Sequence, residues 1–141
     1  LTINPDVYYF SSSTVASILD TATGRHKPAE YISMMSYPWS WLIGRSIVDM
    51  GNGQKTNEDW FKNDGTVNTI SMKRPFTGKN GPEPMRLLSS SSQIEPGVWC
   101  HIGEFPFDHK AFVGHFLDDP NKINDIMRIF EEHASRLYSL P

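Results

Sequence analysis

Within nine positions the chain places His101, Glu104, Asp108 and His109, residue types that bind metal ions or move protons. Zinc accepts such ligands, but their spacing matches no helical H-E-x-x-H pattern. On a strand, His101 and Glu104 would point to opposite faces. Cys100 lies between Trp99 and His101 in a strand-like run. A reactive thiol needs an exposed, electropositive setting, so a buried structural cysteine is expected. Ser46, in "WLIGRSIVDMG", imitates a G-x-S nucleophile turn. Val48 stands where the second glycine is needed, and Pro38 with two tryptophans fits poorly with a strand feeding a helix. Asp64 sits in an Asn-Asp-Gly sequence, which by itself means only a turn. His109 alone could equally be a structural histidine. Taken together, an acid after one strand-like unit and a histidine after the next follow the order of a serine–acid–histidine triad.

These residues need elements to position them. "DVYYFSSSTVAS" (6–17) opens on strand formers and reads as an interior strand of a parallel sheet, with neighbours on both sides. Residues 26–51 are aromatic-rich and carry Pro28 and Pro38, which predicts irregular structure with short helical turns. Residues 52–68 read as loop. Residues 72–97, rich in Pro, Gly and Ser, read as a long surface connection that includes the Ser89–Ser92 tract. A loop of that length is unusual unless it is functional or has structure of its own. "GVWCHIGEF" (97–105) is a second strand. The final segment to Leu140 is an amphipathic helix. Asp119 is its cap and Pro120 its first residue, and Ile123, Ile126, Met127, Phe130, Ala134, Leu137 and Tyr138 form one stripe. There is no internal repeat and no second domain. Strand, polar excursion, strand, helix is the order expected of the last part of an α/β protein, with 1–141 as part of a single domain.

Composition sets the outer bounds. With 38% hydrophobic and 21% charged residues the chain is globular. A net charge of -3 and the lack of any Lys/Arg run argue against nucleic acid as a partner. No apolar run approaches the roughly 18 residues of a membrane span. The single cysteine, Cys100, allows no disulfide within the chain. The chain begins at Leu1 with no signal-peptide pattern, so a processed product or a piece of something longer is expected.

Four segments together carry a family resemblance: "PDVYYFSSST", "NDGTVNTISM", "GVWCHIGEFPFDH" and "DPNKINDIMRIFEEHASRLYSLP". In this order and with these gaps they resemble the large secreted triacylglycerol lipases of the staphylococcal and thermophilic-bacillus type. That resemblance implies the C-terminal part of an α/β-hydrolase fold, completed by an upstream segment or partner chain. It places the family's catalytic aspartate on Asp64 and its histidine on His109. Asp108 is left as a loop anchor.

The serine, the oxyanion-hole loop and the family's zinc ligands fall upstream of these residues. The implied partner is therefore an N-terminal lipase segment or chain carrying the serine. The implied substrate is a lipid ester and the implied location extracellular. No cofactor is otherwise expected. The family's calcium site would retain Asp119, but Ala111 and Phe116 stand at its acidic positions, so a carboxylate is lost. The aromatic run Tyr37, Trp39, Trp41, Leu42 and Ile43 either lines the acyl-chain site or packs against the missing half. Two other readings stay open. One is a metal-dependent hydrolase built on His101, Glu104 and His109. The other is a non-catalytic relative that binds a partner or lipid surface.

Overall fold

The structure is a computed structural model that describes residues 3–51, 53–75, 83–88, 94–115 and 119–140. The Ser89–Ser92 tract, residues 76–82 and Phe116 lie outside them. The chain forms two compact units, Leu1–His109 and Lys110–Pro141.

The first unit is built on a three-stranded sheet of order β1-β5-β4, with β1 Tyr9–Thr14, β4 Met85–Leu87 and β5 Trp99–Phe105. Both pairings are parallel, Tyr9 and Met85 each lying opposite Trp99. The predicted strands 6–17 and 97–105 are thus present and neighbours. β5, not β1, is the central strand, and among the described residues β1 pairs on one side only. The β1–β5 register slips between Ser11 and Ser13, a bulge-like irregularity that re-aims the end of the strand. Tyr9 and Trp99 meet at this pairing with ring centroids 5.1 Å apart.

Three strands were not expected. β4 lies inside the Pro/Gly/Ser-rich stretch read as a surface connection. Three residues carry no period, and what makes them a strand is the pairing with β5. β2 Ser17–Asp20 and β3 Arg25–Pro28 form an antiparallel hairpin. Asp20 closes its turn by accepting from Ala22 N and Thr23 Oγ1.

The aromatic excursion contains α1, Tyr37–Ile43, packed on β3. The close approach is at Gly44, where an added Cβ would sit 2.3 Å from the His26 carbonyl oxygen. Around α1 the aromatic run is uncovered, with Trp39 60% exposed, and Met34, Tyr37, Trp41 and Leu42 are exposed as well. A 3-10 turn, Glu58–Trp60, and α2, Thr69–Lys73, flank the loop that carries Asp64. α2 packs on β1.

A short helical turn, α3 His109–Phe112, leads out of this unit. The second unit is dominated by α4, Pro120–Tyr138. Its start is as predicted: Asp119 Oδ1 accepts from Asn121 N at 2.9 Å and Pro120 opens the helix. Ile126 is buried, and the Phe112 and Phe130 rings stack with centroids 5.7 Å apart. Further along the same stripe Met127 and Leu137 remain exposed. No helix among the described residues is long and apolar enough to cross a membrane.

Candidate active site

The loop 61–68 is sewn onto the end of β1 by hydrogen bonds that its own sequence supplies. Ala16 N donates to Asn63 O at 2.9 Å, and Asn63 N donates to Ser17 Oγ at 2.9 Å. The buried Asn63 side chain donates to the carbonyls of Phe61 and Ser40 and accepts from Gly65 N. Gly65 has φ +93°, the left-handed region that favours glycine. At the base of the loop Thr69 Oγ1 donates to Thr14 O at 2.8 Å.

This scaffold buries Asp64 completely. A buried carboxylate must be fully hydrogen-bonded or it is costly. Oδ1 accepts from Thr66 N at 3.0 Å and Val67 N at 2.9 Å. Oδ2 accepts from Thr14 Oγ1 at 2.7 Å and is paired with His109 Nδ1 at 2.8 Å. These four donors match the acceptor capacity of an ionised carboxylate.

His109 is held twice by the same residue, because its backbone N also donates to Asp64 O at 3.1 Å. The pairing with a carboxylate places the ring proton on Nδ1 and leaves Nε2 as the acceptor. The His109 side chain is 41% exposed. Among the described residues Nε2 has no hydrogen-bond partner. A fixed imidazole with a free basic nitrogen facing out can take a proton from a neighbouring hydroxyl.

The other residues singled out in sequence go elsewhere. Asp108 is buried and accepts from Ser33 N at 3.1 Å, which anchors the loop before α1. Glu104 pairs with Lys62 and lies 3.5 Å from Lys73 Nζ. Burial pushes its carboxyl up, but Lys62 and then Lys73 outweigh that and leave it lowered. Cys100 is buried in β5. Ser46 follows a helix, not a strand, and donates to Leu42 O at 2.7 Å, so it stands in no nucleophile turn.

His101 is buried and its ring lies between two serines of β1. Nδ1 is 3.2 Å from Ser11 Oγ and Nε2 3.2 Å from Ser13 Oγ. Ser11 gives its own proton to Lys73 O at 2.5 Å. His101 Nδ1 is therefore the donor to Ser11, and Nε2 accepts from Ser13. With both nitrogens engaged, His101 offers no ligand atom, and the reading with His101, Glu104 and His109 around a metal loses its first member.

The calcium expectation does not fit these residues. Asp119 Oδ1 is engaged in capping α4, Ala111 carries no side-chain ligand atom, and Phe116 lies outside the described residues. Among the described residues no three His, Cys, Asp or Glu side chains gather.

Burial, and next the charge of Lys73, lower the pKa of His101, while Glu104 and Ser11 oppose them. His26 is lowered by burial and by Lys62. The unfolded chain takes protons at about pH 6.5 and the folded chain only below that. The stability these neutral histidines carry is complete above pH ~6.5 and is lost as pH falls through the lowered folded values. Denaturant midpoints measured between pH 7.5 and 5 should therefore fall, and His101→Gln should flatten the slope.

Sequence reasoning missed Thr14. Thr14 ends the first motif, but nothing in that motif says where its hydroxyl points. Asn63 opens the second, and its residue type is equally silent about its role inside the turn.

No family profile matches the chain. Lipase 1 of Staphylococcus aureus is 27% identical over 92 residues, covering 63% of this chain and 12% of that protein. The chain thus spans about an eighth of the curated relatives it matches. Staphylococcus hyicus lipase superposes with a TM-score of 0.76 at 22% identity, over 96% of this chain and 32% of that one. EstA from Clostridium botulinum gives 0.70 at 28% identity, over 86% of this chain and 28% of that one. Lipase 1 from Pelosinus fermentans gives 0.69 at 22% identity, over 99% and 34%. The resemblance read from the four motifs therefore holds at the level of sequence and of fold. The chain is similar to a lipase C-terminal part, and its mostly parallel sheet with helices is that of the corresponding part of an α/β-hydrolase.

Proposed function

We propose that this chain supplies the acid and the base of a serine-dependent carboxylic ester hydrolase of the lipase type. The observation that carries the reading is the Asp64 Oδ2–His109 Nδ1 pair at 2.8 Å, its acid wholly buried and its imidazole open on the far side. In the reaction a serine hydroxyl attacks the ester carbonyl. His109 Nε2 takes the hydroxyl proton and later returns it to the leaving alcohol. Asp64 holds the ring in the tautomer with its proton on Nδ1 and stabilises the charged imidazolium that forms.

The serine and the oxyanion hole come from an upstream segment or partner chain. Residues 1–141 then form the C-terminal part of a single hydrolase domain. Two facts support this. The chain covers only 28–34% of the structures it matches, and among the described residues the free edge of β1 has no strand beside it. A lipid ester as substrate is supported by the lipase relatives and by the uncovered apolar run around α1. Secretion belongs to the same proposal.

Intact-mass analysis of the native preparation, with and without a fluorophosphonate probe, tests the reading. A probe adduct on a serine outside residues 1–141, together with hydrolysis of a triacylglycerol emulsion that the probe abolishes, is the expected result. A preparation with neither adduct nor hydrolysis would leave this chain a non-catalytic relative.

A further inference from the structure

We propose that Thr14 is a positioning residue for the proton-transfer pair: its hydroxyl fixes the Asp64 oxygen from which the His109 imidazole is oriented. The inference rests on the ester-hydrolase reading above and concerns a side chain that reading does not use.

Thr14 is the last residue of β1 and is buried. Its hydroxyl has one proton and two acceptors within reach. Asp64 Oδ2 lies at 2.7 Å and Met72 Sδ at 3.5 Å. A carboxylate oxygen at the shorter distance is much the stronger acceptor, so the proton goes to Asp64. That oxygen is the one paired with His109 Nδ1. The two backbone donors, Thr66 N and Val67 N, both serve the other oxygen. Backbone therefore fixes Oδ1, and Thr14 is the only donor besides His109 itself that fixes Oδ2 among the described residues.

Thr14 is in turn fixed from outside the site. Its carbonyl accepts from Thr69 Oγ1 at 2.8 Å, and Val15 N donates to Phe105 O at 2.9 Å. Upstream, the register slip between Ser11 and Ser13 sets the strand end, and His101 binds both serines across it. The hydroxyl thus reaches Asp64 from the rigid end of a sheet strand, whereas Asp64 itself lies in a loop. Without it, Oδ2 keeps only His109 as a donor, and the carboxylate settles on its two Oδ1 donors, which shifts Oδ2 off the line of Nδ1.

The test uses three substitutions in the native protein, with a p-nitrophenyl acyl ester as substrate. Thr14→Val keeps the shape and removes the donor, and kcat is expected to fall about 10- to 100-fold with KM unchanged. Thr14→Ser keeps the donor and should stay close to the parent. The low-field Nδ1 proton resonance of His109 is the readout independent of turnover. It should move in Thr14→Val and return in Thr14→Ser.

Parent-like kcat and resonance in Thr14→Val overturn the proposal. So does a loss in which KM and kcat change together and Thr14→Ser fails to restore either. Should Thr14→Val not fold, Thr14→Cys, a weak donor of similar volume, replaces it. A kcat well below that of Thr14→Ser supports the role, and an equal kcat refutes it. Full turnover in His109→Ala would instead sink the hydrolase reading, which keeps the two failures apart.

Discussion

Asp64→Asn is expected to lower kcat by about 10³–10⁴-fold while leaving KM nearly unchanged. Asp64 receives donors at both oxygens, two backbone N–H groups on Oδ1 and Thr14 with His109 on Oδ2. An amide has only one acceptor oxygen. If that oxygen stays with Thr66 N and Val67 N, the amide NH₂ faces His109. The ring then gives up its Nδ1 proton and carries it on Nε2 instead, the wrong tautomer for a base. If the amide turns over, two backbone donors lose their acceptor inside a buried site. Either way the loss falls on the transition state, about 4–5.5 kcal/mol at 1.36 kcal/mol per decade. Because the pair acts as a unit, the double variant Asp64→Asn/His109→Ala should be no slower than His109→Ala alone. Steady-state kinetics on an ester substrate checks both statements. A strictly multiplicative loss in the double variant would count against the pairing.

Gly65→Ala is expected to be the most destabilising small substitution near the site, by about 2–5 kcal/mol in unfolding free energy. Two costs coincide there. The residue has φ +93°, and an added Cβ would stand 2.7 Å from Ser36 Cβ and 2.9 Å from Ile32 Cδ1. Ser36 is buried at 2% exposure, so that neighbour has little room to yield. The natural controls are Gly24 and Gly51. Both have positive φ, but nothing lies within 4 Å of an added Cβ, so alanine there meets the backbone cost alone, about 1–2 kcal/mol. Thermal unfolding of the three variants orders them directly. Equal Tm values for all three would mean that the loop shifts to absorb the methyl group. In Gly65→Ala the activity should fall with stability, since Gly65 N is held by Asn63 and its neighbour is Asp64.

The features legible in the sequence share a physical character: they are set by neighbours along the chain. α4 was legible because its cap, its first-turn proline and its three- and four-residue apolar steps all lie within it. The Asn63-Asp64-Gly65 turn was legible for the same reason. β1 and β5 were recognisable from their residue types, although which of the two is central was not. β4, at three residues, has too little length for a pattern and exists through its pairing with β5. The metal reading failed where a local cluster met long-range contacts, because His101 points into the β1 serines and Glu104 toward Lys62 and Lys73.

By itself, then, the sequence determined which acid and which histidine were the candidates, their order along the chain and the turn that presents Asp64. Only the tertiary structure decided that Asp64 and His109, 45 residues apart, share a hydrogen bond. It also decided that Thr14, 50 residues from Asp64, completes the carboxylate's set of donors. The reason is directional. A residue type states what a side chain can donate or accept. The geometry of those bonds depends on strand register, on the slip between Ser11 and Ser13 and on the loop sewn to Ala16 and Ser17, none of which is written in any local stretch.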